Sequence, residues 1–109
     1  MNKSLHFSSN LIPLILGWEK FSTWRLWDEK NLSVGDRVDF LESDTDELFA
    51  TAKVIEVIEK LFCNFKEEDR KGHEKFKNDK EMYKTYEKYY NKKVGPETAV
   101  KIIFFKLLR

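Results

Sequence analysis

The chain has 109 residues, 41% of them hydrophobic and 15% aromatic, and its 36% charged side chains leave a formal net charge of +1. That length suits one domain, 1–109, with a core of its own, and so apolar and aromatic a composition excludes disorder along the whole chain. A charge this close to zero excludes a strong global field, so any preference for nucleic acid must come from local patches.

Ser4 to Phe7 reads as a first strand. Ser8-Ser-Asn10 then supplies side chains that can cap a helix, Pro13 falls in its first turn, and Leu11, Leu14 and Ile15 form its apolar stripe until Gly17 stops it. The run from Leu11 to Leu16 is too short to cross a bilayer and lacks a cleavage signal. Phe21 to Trp27 reads as a strand, with Phe21, Thr23, Arg25 and Trp27 on one face and Ser22, Trp24 and Leu26 on the other. Trp24 is expected in the core. Asp28 to Asn31 is a polar loop, Gly35-Asp36 a turn into the strand Arg37–Leu41, and Ser43 to Glu47 the next turn.

Leu48 to Phe62 fits two periods. Val54, Ile55, Val57, Ile58, Leu61 and Phe62 match helical spacing, yet the β-branched content and the preceding turn favour a long strand. Cys63 is the single cysteine, which excludes an internal disulfide and suits a reducing cytoplasm. It reads as a half-buried thiol rather than a nucleophile.

Lys66 to Lys93 holds ten basic and seven acidic side chains, mixed as on a solvated helix face. Glu67-Glu-Asp69 suits a helix start broken by Gly72, and Asp79 can cap a helix to Tyr90 whose Met82, Tyr83, Tyr86, Tyr89 and Tyr90 recur at helical spacing. After the loop at Gly95-Pro96, Ala99 to Leu108 is a nearly all-apolar strand, expected in the middle of its sheet. Strands near both termini with helices between them give an α+β class with a small bent sheet or barrel.

The candidate chemistry lies in Lys20-Phe-Ser-Thr23-Trp-Arg25. An amine, a hydroxyl and a guanidinium within six residues can hold a phosphate, with Thr23 an ordinary strand residue. Alternatively, a neutral Lys20 amine can take the Thr23 proton as that hydroxyl attacks an amide carbonyl. Trp18 and Trp27 are candidates to stack a base at the cleft. His73 is expected to cap or line the cleft or to face solvent. No metal site is expected, since His6 and His73 are the only histidines and no His-Glu-x-x-His spacing occurs.

Gly17-Trp-Glu-Lys20-Phe-Ser-Thr23-Trp-Arg25, taken with Val34-Gly-Asp36, Gly72-His-Glu74, Glu81-Met-Tyr and Tyr89-Tyr90, resembles the ASCH domain of the PUA-like superfamily over essentially the whole chain. The resemblance implies a PUA-like pseudobarrel of about five to six mostly antiparallel strands with two to three short helices, and so a strand for Leu48 to Phe62. It implies a cleft beside the Lys-x-x-Thr-x-Arg segment that receives RNA or a modified nucleoside. Some small members are similar to amidohydrolases that deacetylate N4-acetylcytidine with a lysine, a threonine and a glutamate. Lys20, Thr23 and Glu74 would take those roles, and Arg25, Trp18, His73 and Trp27 would bind the ligand. Other members are described as ribonucleases. Phe21, where a threonine is usual, and Trp18 depart from the pattern and put bulky rings where they can reshape the pocket, which leaves a protein-interaction adaptor as a further alternative. A cytoplasmic monomer without cofactor or membrane contact is the expectation.

Overall fold

The structure is a computed structural model that describes residues 2–27 and 30–108. Asp28 and Glu29, in the expected polar loop, lie outside the described residues. The described chain forms β1 (Lys3–Phe7), α1 (Ile12–Leu16), β2 (Ser22–Arg25), β3 (Arg37–Glu42), β4 (Leu48–Leu61), α2 (Asp79–Tyr90) and β5 (Ala99–Leu108), with short 3₁₀ turns at Ser9–Leu11, Phe62–Asn64 and Glu67–Arg70. The strands make one mixed sheet in the order β1-β3-β4-β5-β2, in which only β1 and β3 run parallel.

β4 settles the ambiguity of Leu48 to Phe62 in favour of a strand of 14 residues. A bulge between Val54 and Glu56 lets it bend around the core, and leaves Ile55 half exposed. β5 is paired on both edges, to β4 and β2. Its two faces feed two different clusters: Ile103, Phe105 and Leu107 join Leu5, Phe7, Ile15 and Phe40, while Val100 and Ile102 join Trp24, Phe62, Met82 and Tyr86 under α2. A strand covered on both sides is apolar over the covered stretch, Ile102 to Phe105, with Lys101 and Lys106 flanking it.

The edge strands β1 and β2 stand at opposite ends of the pairing order, yet Arg25 on β2 donates from Nη2 to the His6 carbonyl on β1 at 3.3 Å. Its guanidinium also lies 5.1 Å from the Phe7 ring centroid. Lys30 donates to the Ser4 carbonyl two residues along the same strand. The sheet therefore curls into a half-barrel whose open seam is bridged by two cations instead of strand pairing. These contacts occupy carbonyls that an unprotected edge would offer to another chain.

Several local expectations need correction. Strand β2 stops at Arg25 because Trp27 takes a left-handed backbone, φ 50°, so Trp27 no longer alternates with Thr23 and Arg25. No side chain of Ser8 or Ser9 caps the first helix; Leu11 N donates to the Ser8 carbonyl, and a 3₁₀ turn leads into α1. The left-handed residue after α1 is Trp18, φ 65°, not Gly17. The cap of α2 is Asn78, whose side chain accepts from Glu81 N at 2.9 Å, one residue before the expected Asp79. Glu67 to Arg70 makes only a 3₁₀ turn. Cys63 is exposed.

Gly72 fixes the loop that carries Glu74. It has φ +71°, and a Cβ there would lie 2.5 to 2.6 Å from atoms of the Phe21 ring. Its carbonyl accepts from both Phe21 N and Ser22 N. Gly72→Ala is therefore expected to lower stability by about 1–3 kcal/mol through backbone strain and the clash, read as a fall in thermal midpoint. Phe21→Ala in the same chain should recover the steric share only; an unchanged midpoint in the single variant would refute this packing.

Candidate functional site

Residues distant in sequence meet at the seam. The backbone of Glu19 and Lys20 donates to the Leu14 carbonyl, wrapping the chain around the end of α1 before β2 begins. The 70–74 loop is stapled beside that start by the two bonds to the Gly72 carbonyl and by Ser22 Oγ donating to the Lys71 carbonyl at 2.9 Å. This brings Glu74 onto Lys20. The ammonium donates to Glu74 Oε1 at 2.5 Å and to the Ser22 carbonyl at 2.8 Å, with Lys20 only 2% and Glu74 24% exposed.

A cavity of about 240 Å³ opens above this pair, and Lys20, Thr23, Arg25, His73 and Glu74 all line it. His6, Phe7 and Ser8 from the β1 side, Ser43, and Tyr86, Tyr89 and Tyr90 from α2 complete the wall. Trp24 also lines it, buried as expected, with its indole stacked on the His73 ring at 3.7 Å and 14°. Trp18 does not line the cavity, and Trp27 lies in an adjoining groove that shares Arg25 with it. Phe21 stays outside as well, because its ring is spent on Gly72. The bulky departure from the ASCH pattern thus leaves the pocket open.

Burial pushes the Lys20 ammonium below its usual range, against the charge and hydrogen bond of Glu74; nearby Arg25 adds to the lowering. Burial acts to raise the Glu74 carboxyl, but His73, Lys20 and the Lys20 hydrogen bond together hold it below the usual carboxylate range. Burial, and after it the Lys20 charge, push the His73 imidazole down to about 3, so the ring is neutral at neutral pH. Its Nδ1 faces only acceptors, the Glu74 carbonyl at 2.9 Å and Oε1 at 3.1 Å, and so carries the proton. Nε2 is left to accept from the Tyr86 hydroxyl at 3.1 Å, and burial keeps that phenol protonated by raising it well above its usual range. A neutral histidine of fixed tautomer thereby holds the carboxylate that pairs with Lys20.

Arg25 is only partly satisfied. One nitrogen donates to His6, while its buried Nε has no partner among the described residues, and neither has the adjacent Trp24 Nε1. Two unpaired buried donors on successive residues of the cavity wall are unusual in a folded protein. Among the described residues no group of three or more histidine, cysteine, aspartate or glutamate side chains could hold a metal, and no helix is long and apolar enough to cross a membrane.

The tyrosines, Trp24 and the β1 residues were not evident as site residues in the sequence. The one available signal was the spacing of Tyr86, Tyr89 and Tyr90, which places them on one side of α2 but equally suits a core stripe.

A curled mixed sheet with its cavity at the seam defines an ASCH-type fold, and comparison with solved structures bears this out. The ASCH domain from Lactobacillus crispatus superposes with a TM-score of 0.72 at 14% identity, covering 96% of this chain and 78% of that one. The ASCH protein from Zymomonas mobilis gives 0.64 at 10% identity, covering 94% and 65%. A protein from Enterococcus faecalis V583 of the family model DUF984 gives 0.82 at 16% identity, covering 99% and 80%. No family model and no curated protein matches the sequence. The chain therefore has the ASCH-domain fold.

Proposed function

We propose that the cavity binds a single nucleoside, free or displayed by RNA, between its aromatic walls and its cluster of polar groups. The observation that carries this reading is the meeting of Lys20, Glu74 and a half-satisfied Arg25 with the Trp24–His73 stack and the α2 tyrosines in one cavity of about 240 Å³. That volume falls just below the ~300–1,000 Å³ of usual small-molecule sites, which suits one base with its sugar. Planar apolar walls pack against the faces of a base, and the arginine N–H groups donate to its carbonyl or to a phosphate oxygen.

A second reading is favoured by the state of Lys20. An ammonium has three protons to donate, whereas a neutral amine has two and a lone pair. Lys20 has two acceptors, Ser22 O and Glu74 Oε1, so a neutral Lys20 keeps both bonds with its lone pair free. Burial favours that neutral form. Such an amine can take the Thr23 proton while Thr23 Oγ bonds to the acetyl carbon of N4-acetylcytidine. The C–N4 bond then breaks, N4 receives the proton, and water hydrolyses the acetyl-threonine ester to acetate.

Calorimetric titration with cytidine and N4-acetylcytidine, and chromatography of the incubated mixture, test both readings. Saturable binding that weakens about tenfold in Arg25→Ala is expected for the cavity, with release of cytidine and acetate if the site is catalytic. Absence of binding and of turnover would overturn both.

A further inference from the structure

Beside the cavity runs a second groove of about 380 Å³, reached past Arg25, which lines both. Arg25, Lys30 and Lys92 supply three cations to it, and no carboxylate of the described residues lines it. Trp27 stands in this groove 45% exposed. Its left-handed backbone, φ 50°, is rare for so bulky a residue, and holds the indole at the surface instead of in either core cluster. Tyr90 meets it edge-on at 5.6 Å. Asn91 ends α2 in a left-handed turn, φ 53°, and the next residue, Lys92, sets its ammonium 4.7 Å from the Trp27 ring centroid.

The order along this surface is aromatic cavity, arginine, then exposed tryptophan with lysine. A strand of nucleic acid has the same order of parts: a nucleoside, its phosphate, then the neighbouring base. We propose that the groove seats the nucleotide next in sequence to a nucleoside held in the cavity, so that the ligand is single-stranded RNA, with the linking phosphate at Arg25 and the neighbouring base on Trp27. This rests on the cavity binding a nucleoside, and it makes a strand the preferred form of ligand. A duplex is disfavoured, since the base held in the cavity would first have to be flipped out of its stack, which a single strand does not require. Ribose is favoured over deoxyribose by the hydroxyls of Ser8, Thr23 and Ser43 around the cavity, which can pair with a 2′-hydroxyl.

The test compares a fluorescein-labelled single-stranded pentaribonucleotide, measured by anisotropy, with cytidine, measured by calorimetry. The pentamer is expected to bind at least tenfold more tightly than cytidine. Trp27→Ala should weaken the pentamer about tenfold, and Lys92→Ala should reduce the slope of log affinity against log salt by about one. Both side chains are outside the core, and circular dichroism checks that the variants fold. Wild-type affinity for the pentamer in both variants would overturn the groove, and equal affinity for the pentadeoxyribonucleotide would overturn its assignment to RNA. Cytidine binding with no gain for the pentamer removes the groove but leaves the cavity reading. Trp27-dependent pentamer binding without cytidine binding removes the cavity reading and with it the two-site register, leaving only Trp27 as a contact, and failure of both ligands removes both.

Discussion

Lys20→Met is expected to abolish ligand chemistry at the cavity while leaving a folded protein. The side chain is 2% exposed and its ammonium is shared between Glu74 and the Ser22 carbonyl. Methionine keeps an apolar stem of the same reach up to the ammonium but offers neither donor nor base. If Lys20 is the base for Thr23, turnover of N4-acetylcytidine should fall by about 10²–10⁴-fold, the usual worth of general-base catalysis. If the site only binds, the loss should appear in affinity alone, about tenfold or more for a charged hydrogen-bonding group. Stability should fall too, because the variant leaves the Glu74 carboxylate without its counter-ion. Glu74 keeps 24% of its side chain exposed, so the cost should be about 2 kcal/mol, below the ~3–5 kcal/mol of a fully buried broken pair. Lys20→Met with Glu74→Gln removes the unpaired charge and should recover part of that stability but none of the function. Wild-type turnover or affinity in Lys20→Met would remove Lys20 from the site, whatever the stability.

The parts of this design that were legible in sequence are those made by neighbouring residues. Lys20, Thr23 and Arg25 lie within one turn and one strand, so strand alternation alone relates Thr23 to Arg25. The nearly all-apolar β5 announced that both its faces are covered, and the helical tyrosine spacing announced α2. Glu74 lies 54 residues from Lys20, and only the resemblance to ASCH domains pointed to it. The remaining wall depends on the curl of the sheet. Nothing local to β1 says that His6 and Phe7 face β2, because the two strands are not hydrogen-bonded neighbours and meet only when the half-barrel forms. The left-handed residues were illegible for another reason. Trp18 and Trp27 adopt a backbone that favours glycine, so pattern placed the helix reversal at Gly17 and carried β2 two residues too far. Asn78 and Asp79 are equally good caps by chemistry, so residue type alone does not choose between them.

Acid should unfold this protein chiefly through His73. Its imidazole is pushed down to about 3, first by burial and then by the Lys20 charge, whereas in the unfolded chain it titrates near ~6.5. Between those values the unfolded state holds the proton and the folded state does not, so stability must fall as pH falls from about 6.5 toward 3, by up to ~1.4 kcal/mol per pH unit. The whole effect is on the order of 4–5 kcal/mol, a large share of a small domain's ~5–15 kcal/mol. Glu74 acts in the same direction lower down. Its folded carboxyl is held below its ordinary 4.5, so its contribution is complete above that value and is lost as pH falls through the folded one. Lys20 works at the other end: burial holds its folded ammonium below the ordinary 10.5, so the unfolded chain keeps that proton longer and stability should rise as pH approaches 10.5 from below. Denaturant melts across pH 3 to 7 measure the acid limb. His73→Phe keeps a ring to stack on Trp24 but cannot titrate; it should start less stable at pH 7, having lost the bonds to Tyr86 and Glu74. Its stability should then stay nearly level down to about pH 4.5, the ordinary carboxyl value at which Glu74 takes up its proton in the unfolded chain. A wild-type slope in that variant between pH 6.5 and 4.5 would show that some other group carries the proton linkage, and that His73 is not the neutral prop of the Lys20–Glu74 pair.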